Sequence, residues 1–169
     1  MECIKDSKLI LVDSLHESEE GVETILKKRE YSFECVAIGK NPGKKYMNVE
    51  VAHGGSSFLK TIKINRGKFL EKRKVIVVRL DEIIKKYNLK NNFGIKIDTE
   101  GFELDVVKSG GDEIKKASFV LCEVRHNHES FENQYLLKEF MLEMQHKGFV
   151  LTKILSAKPF IADLCFEPI

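Results

Sequence analysis

The segment Lys96-Ile-Asp-Thr-Glu-Gly-Phe-Glu-Leu-Asp-Val-Val-Lys-Ser-Gly110 constrains this chain more than any other. An apolar approach, Phe93-Gly94-Ile95-Lys96-Ile97, runs straight into the carboxylates Asp98, Glu100 and Glu103. A helical pattern follows, and Gly110-Gly111 stops it. Acidic side chains at the carboxyl end of a buried strand stand where open α/β sheets bind ligands. The segment therefore points to a ligand or catalytic site as well as to packing.

The remaining pattern agrees with an α/β reading. Lys8 to Ser14 reads as a short buried strand ending at Asp13, and Ser18 to Lys28 carries a helical pattern with Val22, Ile25 and Leu26 on one face. Ser32 to Ile38 reads as a strand that ends at Gly39, before the turn Asn41-Pro42-Gly43, and Lys45 to Val51 as another. His53-Gly54-Gly55-Ser56-Ser57 has the composition of a flexible loop. Lys74 to Arg79 is a β-branched strand, and Asp81 is placed to cap a short helix reaching Tyr87. The strand Phe93–Ile97 and a helix from Phe102 to Lys108 follow, then a strand from Ser118 to Val124. A long helix is expected over Asn133 to His146, with Gly148 as its left-handed cap. Two closing strands, Phe149–Leu155 and Phe160–Phe166, flank Ala157-Lys158-Pro159. Strands alternating with helices predict a mainly parallel sheet, and the last two strands an antiparallel hairpin at its edge. No repeat or linker divides residues 1–169, which read as a single domain.

Composition narrows the partners. With 28 basic and 26 acidic residues the formal net charge is +2, too balanced for a general nucleic-acid or anionic-membrane binder. The basic run Lys63, Arg66, Lys68, Lys72, Arg73, Lys74 reads as a solvated, mobile loop in preference to a docking site for an acidic partner. No stretch of about 18 apolar residues exists, so no transmembrane helix is expected. The amino terminus lacks a secretory pattern. Cys35, Cys122 and Cys165 lie in apolar stretches and read as buried thiols of a reducing, cytoplasmic compartment, with no structural zinc.

Three expected strand ends carry acids: Asp13, Asp98 with Glu100, and Glu123. In a parallel sheet such ends share one rim and can line a polar cleft. A carboxylate there commonly holds a ribose diol; equally, it can satisfy free amides at a helix start. For Asp13 both readings stand, whereas Asp98 and Glu100 together favour a site. Glu103 is read as first-turn helix charge. His126 and His128, two apart and near Glu123, could bind a divalent metal together with Asp98, although a His-x-His pair in a polar loop is more often solvated. Acceptor binding by Arg125, His126 and His128, just past a strand end and beside Glu123, is the better reading, with Glu123, Arg125 and His126 as the candidate acceptor residues. His53 could act as a base but reads as surface, as do His16 and His146.

At Lys96–Gly110 the sequence resembles the signature of the FkbM family of S-adenosylmethionine-dependent methyltransferases. Val12-Asp13-Ser14 is similar to the family's acidic segment, and Val36-Ala37-Ile38-Gly39 with Pro42-Gly43 to its adenine-side strand and turn. Gly54 to Ser57 resembles its Ser-rich loop, and Val77 to Glu82 the segment leading to the signature. Cys122-Glu123-Val124, Gly148-Phe149 and Asp163 to Phe166 resemble the later strands. The resemblance implies a Rossmann-like class I methyltransferase sheet, mostly parallel with an antiparallel C-terminal edge hairpin. It implies methyl transfer from S-adenosylmethionine, typically to a hydroxyl oxygen of a small molecule or glycan. By the same resemblance Asp13 would hold the cofactor ribose, and Ala37 with its neighbours would line the adenine. Asp98 and Glu100 would stand beside the methionine end or the acceptor. Catalysis then needs in-line alignment and removal of the hydroxyl proton, for which Asp98 is the first candidate and Glu100 the second.

One family feature has no counterpart: the glycine-rich turn after the first sheet strand. Gly54-Gly55 follows a different segment and Gly110-Gly111 ends a helix. The chain thus reads as lacking the first strand, central in the usual strand order. Two expectations follow: an N-terminally truncated methyltransferase domain, or a non-catalytic module that keeps the later half of the fold. Either way, open strand edges imply modest stability and self-association.

Overall fold

The computed structural model describes residues 7–26, 30–50, 56–60, 69–126 and 131–169. His53, Gly54, Gly55, His128 and the basic residues up to 68 lie outside them. β1 (Leu9–Asp13) and β2 (Tyr31–Cys35) pair in parallel, from Leu9 opposite Tyr31 to Asp13 opposite Cys35. Between them runs α1 (Glu17–Leu26), whose first turn carries Glu17, Glu19 and Glu20, where the helix dipole favours negative charge. Leu9, Ile10, Leu11 and Val12 alternate between the two faces of the strand, yet all four are only half-buried. Such a continuous apolar run suits a parallel strand covered on both sides.

The strand expected over Ser32–Ile38 is two strands. It breaks at Val36, and β3 (Ala37–Ile38) pairs in parallel with β5 (Phe69–Val78). β5 also receives β4 (Gly43–Glu50) antiparallel. β3 thus joins the sheet of the long β4–β5 ladder, while β2 pairs with β1. β5 begins at Phe69 instead of Lys74, so Lys72, Arg73 and Lys74 lie on a strand and not on a mobile loop. Arg73 is tied down there by Glu17 at 2.7 Å and Glu71 at 2.6 Å.

The third sheet runs in the order β6 (Gly94–Ile97), β7 (Phe119–Arg125), β9 (Ile161–Pro168), β8 (Phe149–Ala157). β6 and β7 are parallel, while β9 is antiparallel to both β7 and β8, so the C-terminal edge hairpin is present as expected. The expectation of one mostly parallel sheet needs correcting. The described strands form three sheets, with parallel and antiparallel pairings in equal number. Among the described residues β1 pairs only with β2 and β6 only with β7, so no strand pairing joins the first sheet to the third.

The main core lies on the third sheet, under α2 (Leu80–Lys86), α3 (Glu103–Ser109), a 3-10 turn (Glu113–Lys116) and α4 (Leu137–His146). Phe140 and Met144, one turn apart on α4, are fully buried, and the Phe140 ring meets Phe166 edge-on at 5.8 Å. A smaller core gathers Leu15, Ala37, Met47, Val49, Val75 and Val77. α4 starts at Leu137 and not at Asn133, because Asn133 takes a left-handed φ of 59° that a helix cannot contain. Glu139 instead accepts the Leu136 amide at 2.7 Å and fixes the start. Asp81 does not cap α2: its carboxylate grips the Arg79 guanidinium at 3.0 and 3.2 Å. The Leu80 amide goes to Ser109 Oγ, at 3.1 Å. Gly148 takes the expected left-handed cap, with φ 83°. Of the three thiols expected inside, Cys122 is fully buried, Cys165 partly, and Cys35 is exposed. Among the described residues no helix is long and apolar enough to cross a membrane.

Candidate functional site

The site forms where β6 and β7 end side by side. Ile97 is opposite Cys122 in the parallel register and both point into the core, so Asp98 and Glu123, one residue on, share the other face. β9 extends the row, because Asp163 stands directly opposite Glu123. Glu100 joins from the turn after β6. One carboxylate oxygen each from Asp98, Glu100 and Glu123 lies within 4.8 Å of the other two.

The turn itself is unusual. Glu100 and Gly101 are consecutive left-handed residues, with φ of 49° and 93°. A side chain at position 101 would be strained, and its Cβ would also come within 2.9 Å of the Phe131 ring. The glycine is therefore required twice over. Glu103, read from sequence as helix-start charge, proves to be a buried hub. Its Oε1 accepts from the Thr99 amide (3.1 Å), the Thr99 hydroxyl (3.3 Å) and the Gly101 amide (3.0 Å), and its Oε2 from the Tyr135 hydroxyl (2.8 Å). Burial pushes the Glu103 carboxyl up, against the pull of these hydrogen bonds. Burial and the nearby Glu103 also push the Tyr135 hydroxyl up, so it stays a donor. Ser57 is fixed by an antiparallel bridge to Asn48 and donates from Oγ to the Glu100 carbonyl at 2.8 Å. The Ser57 end of the loop is thus anchored, contrary to its flexible composition.

Charge in the cluster is partly balanced by the protein. Lys96 Nζ lies 2.7 Å from Asp98 Oδ2, and the buried Arg125 guanidinium donates to Glu100 Oε2. The Arg125 guanidinium also faces the Phe131 ring at 5.2 Å. Glu123 is held above the usual carboxylate range, first by burial and then by Asp98 and Glu100, with Arg125 opposing and Asp163 adding. The spacing of the three carboxylates is one a cation could bridge, and the pairs Lys96–Asp98 and Arg125–Glu100 reduce the negative charge there without cancelling it. A cavity of about 360 Å³ opens beside the turn, lined by Leu59, Gly101, Phe102, Asp105, Asn133 and Tyr135 among others.

Of the residues expected at the site, Asp98, Glu100, Glu123 and Arg125 come together. His126 does not: its Nε2 lies 3.1 Å from the Lys158 carbonyl, against the β8–β9 turn. Asp13 is not part of the cluster, and its Oδ1 accepts the Leu15 amide at 2.8 Å, the amide-satisfying role weighed for it. The Ala37 side chain is buried in the smaller core, though β3 ends close by the turn, with Gly39 against the Phe102 ring. Asp163, Glu103 and Tyr135 join the site although the sequence pattern does not mark them as site residues. The register that brings Asp163 opposite Glu123 is invisible along the chain. The spacing of Glu103 behind Thr99-Glu100-Gly101 was visible, but it fits a helix-start charge equally well.

Carboxylates gathered at the ends of the parallel strands β6 and β7, beside a turn that leads into a helix, stand where α/β domains bind ligands, and the fold is a mixed α/β one. Residues 16–151 match the family described as Methyltransferase FkbM domain, and the chain belongs to that family. No curated protein and no solved structure matches it.

Proposed function

We propose that this chain is an S-adenosylmethionine-dependent methyltransferase with a Rossmann-like sheet, acting on a hydroxyl oxygen of a small-molecule or glycan acceptor. The observation that supports this most is the convergence of Asp98, Glu100 and Glu123 at the family's signature turn. The residues fit the cofactor in charge and in donor chemistry. The carboxylate cluster suits a cationic ligand, and Asp13 keeps one oxygen beyond its bond to Leu15 for a ribose hydroxyl. Ala37 can meet an adenine only through its backbone, since its side chain is in the core. When bound, the cofactor supplies the methyl group as an activated sulfonium. The chain's own work is to orient the acceptor and take up its proton. Asp98, the exposed member of the cluster, is the residue for that task. Glu100, tied to Arg125, is second, and Glu123 faces the same side to hold the acceptor hydroxyl. Arg125 serves by holding Glu100, because it is only 2% exposed.

Isothermal titration calorimetry tests the reading. S-adenosylmethionine should bind, and Asp13→Ala should weaken binding about tenfold, the loss of one hydroxyl contact. Absence of any binding heat with the folded chain would rule the reading out for it. A second reading, a non-catalytic module that keeps the fold, is favoured by one observation. Among the described residues β1 and β6 each lack a neighbour on one side, where a cofactor-binding sheet is continuous.

A further inference from the structure

We propose that Glu103 is a positioning residue whose buried carboxylate locks the Thr99–Gly101 turn and thereby holds Asp98 and Glu100 against Glu123. The inference stands apart from methyl transfer: it concerns the assembly of the carboxylate cluster, whatever that cluster binds.

The argument rests on where the bonds fall. Glu103 Oε1 accepts the amides of Thr99 and Gly101, the residues on either side of Glu100, and the Thr99 hydroxyl as well. Asp98 immediately precedes the first pinned amide. One atom therefore fixes the backbone at both ends of the short stretch that aims two of the three acids. A side chain serving only as favourable charge for its own helix would have no need to reach back to these residues. The other groups that touch the turn do not replace it. Ser57 holds the Glu100 carbonyl and Arg125 the Glu100 carboxylate, and neither meets the amides of Thr99 or Gly101. Gly101 is buried, so its amide has a strong need for an acceptor. Glu103 itself is anchored from the far side by Tyr135, on the segment leading into α4, and both residues are buried. The lock thus connects the turn to a different part of the main core, which gives it a fixed base.

Glu123 reports on the cluster. The groups facing it are Asp98 and Glu100 from the turn, Arg125 from its own strand and Asp163 from β9; Glu103 is not among them. NMR titration of the Glu123 carboxyl carbon, in protein labelled with 13C-glutamate, therefore reads the position of Asp98 and Glu100, and Glu103→Gln, which removes the Glu103 charge but keeps its oxygen, separates that position from any field of Glu103 itself. In Glu103→Ala the turn should loosen, water should reach Glu123, and its titration should move down toward the ordinary carboxylate range. Glu103→Gln keeps an oxygen for the three donors and should restore the unaltered titration. Tyr135→Phe removes the bond to Oε2 while leaving those to Oε1, so it should lower the melting temperature without moving Glu123. Should Glu103→Ala fail to fold, Glu103→Asp, which draws the carboxylate back from the turn, takes its place with the same expected shift. An unmoved Glu123 in the folded Ala or Asp variant would overturn the proposal. So would an equal shift in Tyr135→Phe, which would mark a general loosening.

Discussion

Arg125, at the end of β7, donates from its guanidinium to Glu100 in the turn after β6, and this ion pair crosses from one strand end to its neighbour. The arginine side chain is 2% exposed and the glutamate 18%, so the pair is shielded from water. Breaking such a pair from one side leaves an uncompensated charge in a poorly solvated place. Arg125→Met should therefore destabilise the protein by about 3 kcal/mol. Arg125→Met with Glu100→Gln should recover most of that loss, because both charges are then removed. Urea denaturation of the two single variants and the double variant measures the coupling directly.

Glu123 gives a pH dependence of defined sign. Burial and the neighbouring Asp98 and Glu100 raise its carboxyl in the folded protein above its value in the unfolded chain. The folded state then holds the proton more tightly, so this group lowers stability as pH rises through the carboxylate range. Glu123→Gln cannot ionise. It should melt higher than the unaltered protein at neutral pH, and the advantage should fade as pH falls through the raised folded value and be gone below the ordinary carboxylate range. Thermal melts across that span decide it; a variant that melts lower at neutral pH would show that Glu123 is needed ionised for the fold.

Local patterns carried much of this architecture, and long-range pairing carried the rest. The strand at Gly94–Ile97, the helix at Glu103–Ser109 and the cap at Gly148 sit close to where periodicity and glycine chemistry put them. Misjudged boundaries trace to interactions between distant residues. β5 extends back to Phe69 because β4 pairs with it, and the strand after Ser32 breaks because β3 pairs with β5 instead of β1. At the site, Asp98 and Glu100 were legible because acids directly after an apolar strand are conspicuous. Asp163 was not, since only register places it opposite Glu123. Along the chain Glu103 fits a helix-start charge, because its hydrogen bonds to the turn and to Tyr135 depend on how the chain folds back around it.

Two glycines offer a paired test of backbone conformation. Gly148 ends α4 with φ 83°, and a Cβ there would meet no atom within 4 Å. Any cost of Gly148→Ala is therefore conformational, and about 1 kcal/mol is expected. Gly21 lies inside α1, also in open space, where alanine is the better helix former. Gly21→Ala should stabilise by roughly 0.8 kcal/mol. Opposite shifts in urea midpoint are the expected result. A gain from Gly148→Ala would mean that the chain does not hold its left-handed cap in solution.

The unpaired strand edges set the final expectation. Among the described residues β1 carries only β2, and β6 only β7, so each presents a row of backbone donors and acceptors on its other side. β1 adds a second reason to find a partner. Leu9, Ile10, Leu11 and Val12 are apolar on both faces of the strand yet only half-buried, which leaves hydrophobic surface that another strand or chain could cover. We therefore expect the protein to self-associate, with a weight-average mass in sedimentation velocity that rises with concentration. Leu11→Lys places a charge on this strand, where it disfavours further pairing, and should move the distribution toward monomer. The same substitution at Leu142, exposed on α4 and away from β1, should have no such effect if the edge is responsible. A chain that sediments as a monomer at every concentration would show instead that these edges are covered within one molecule.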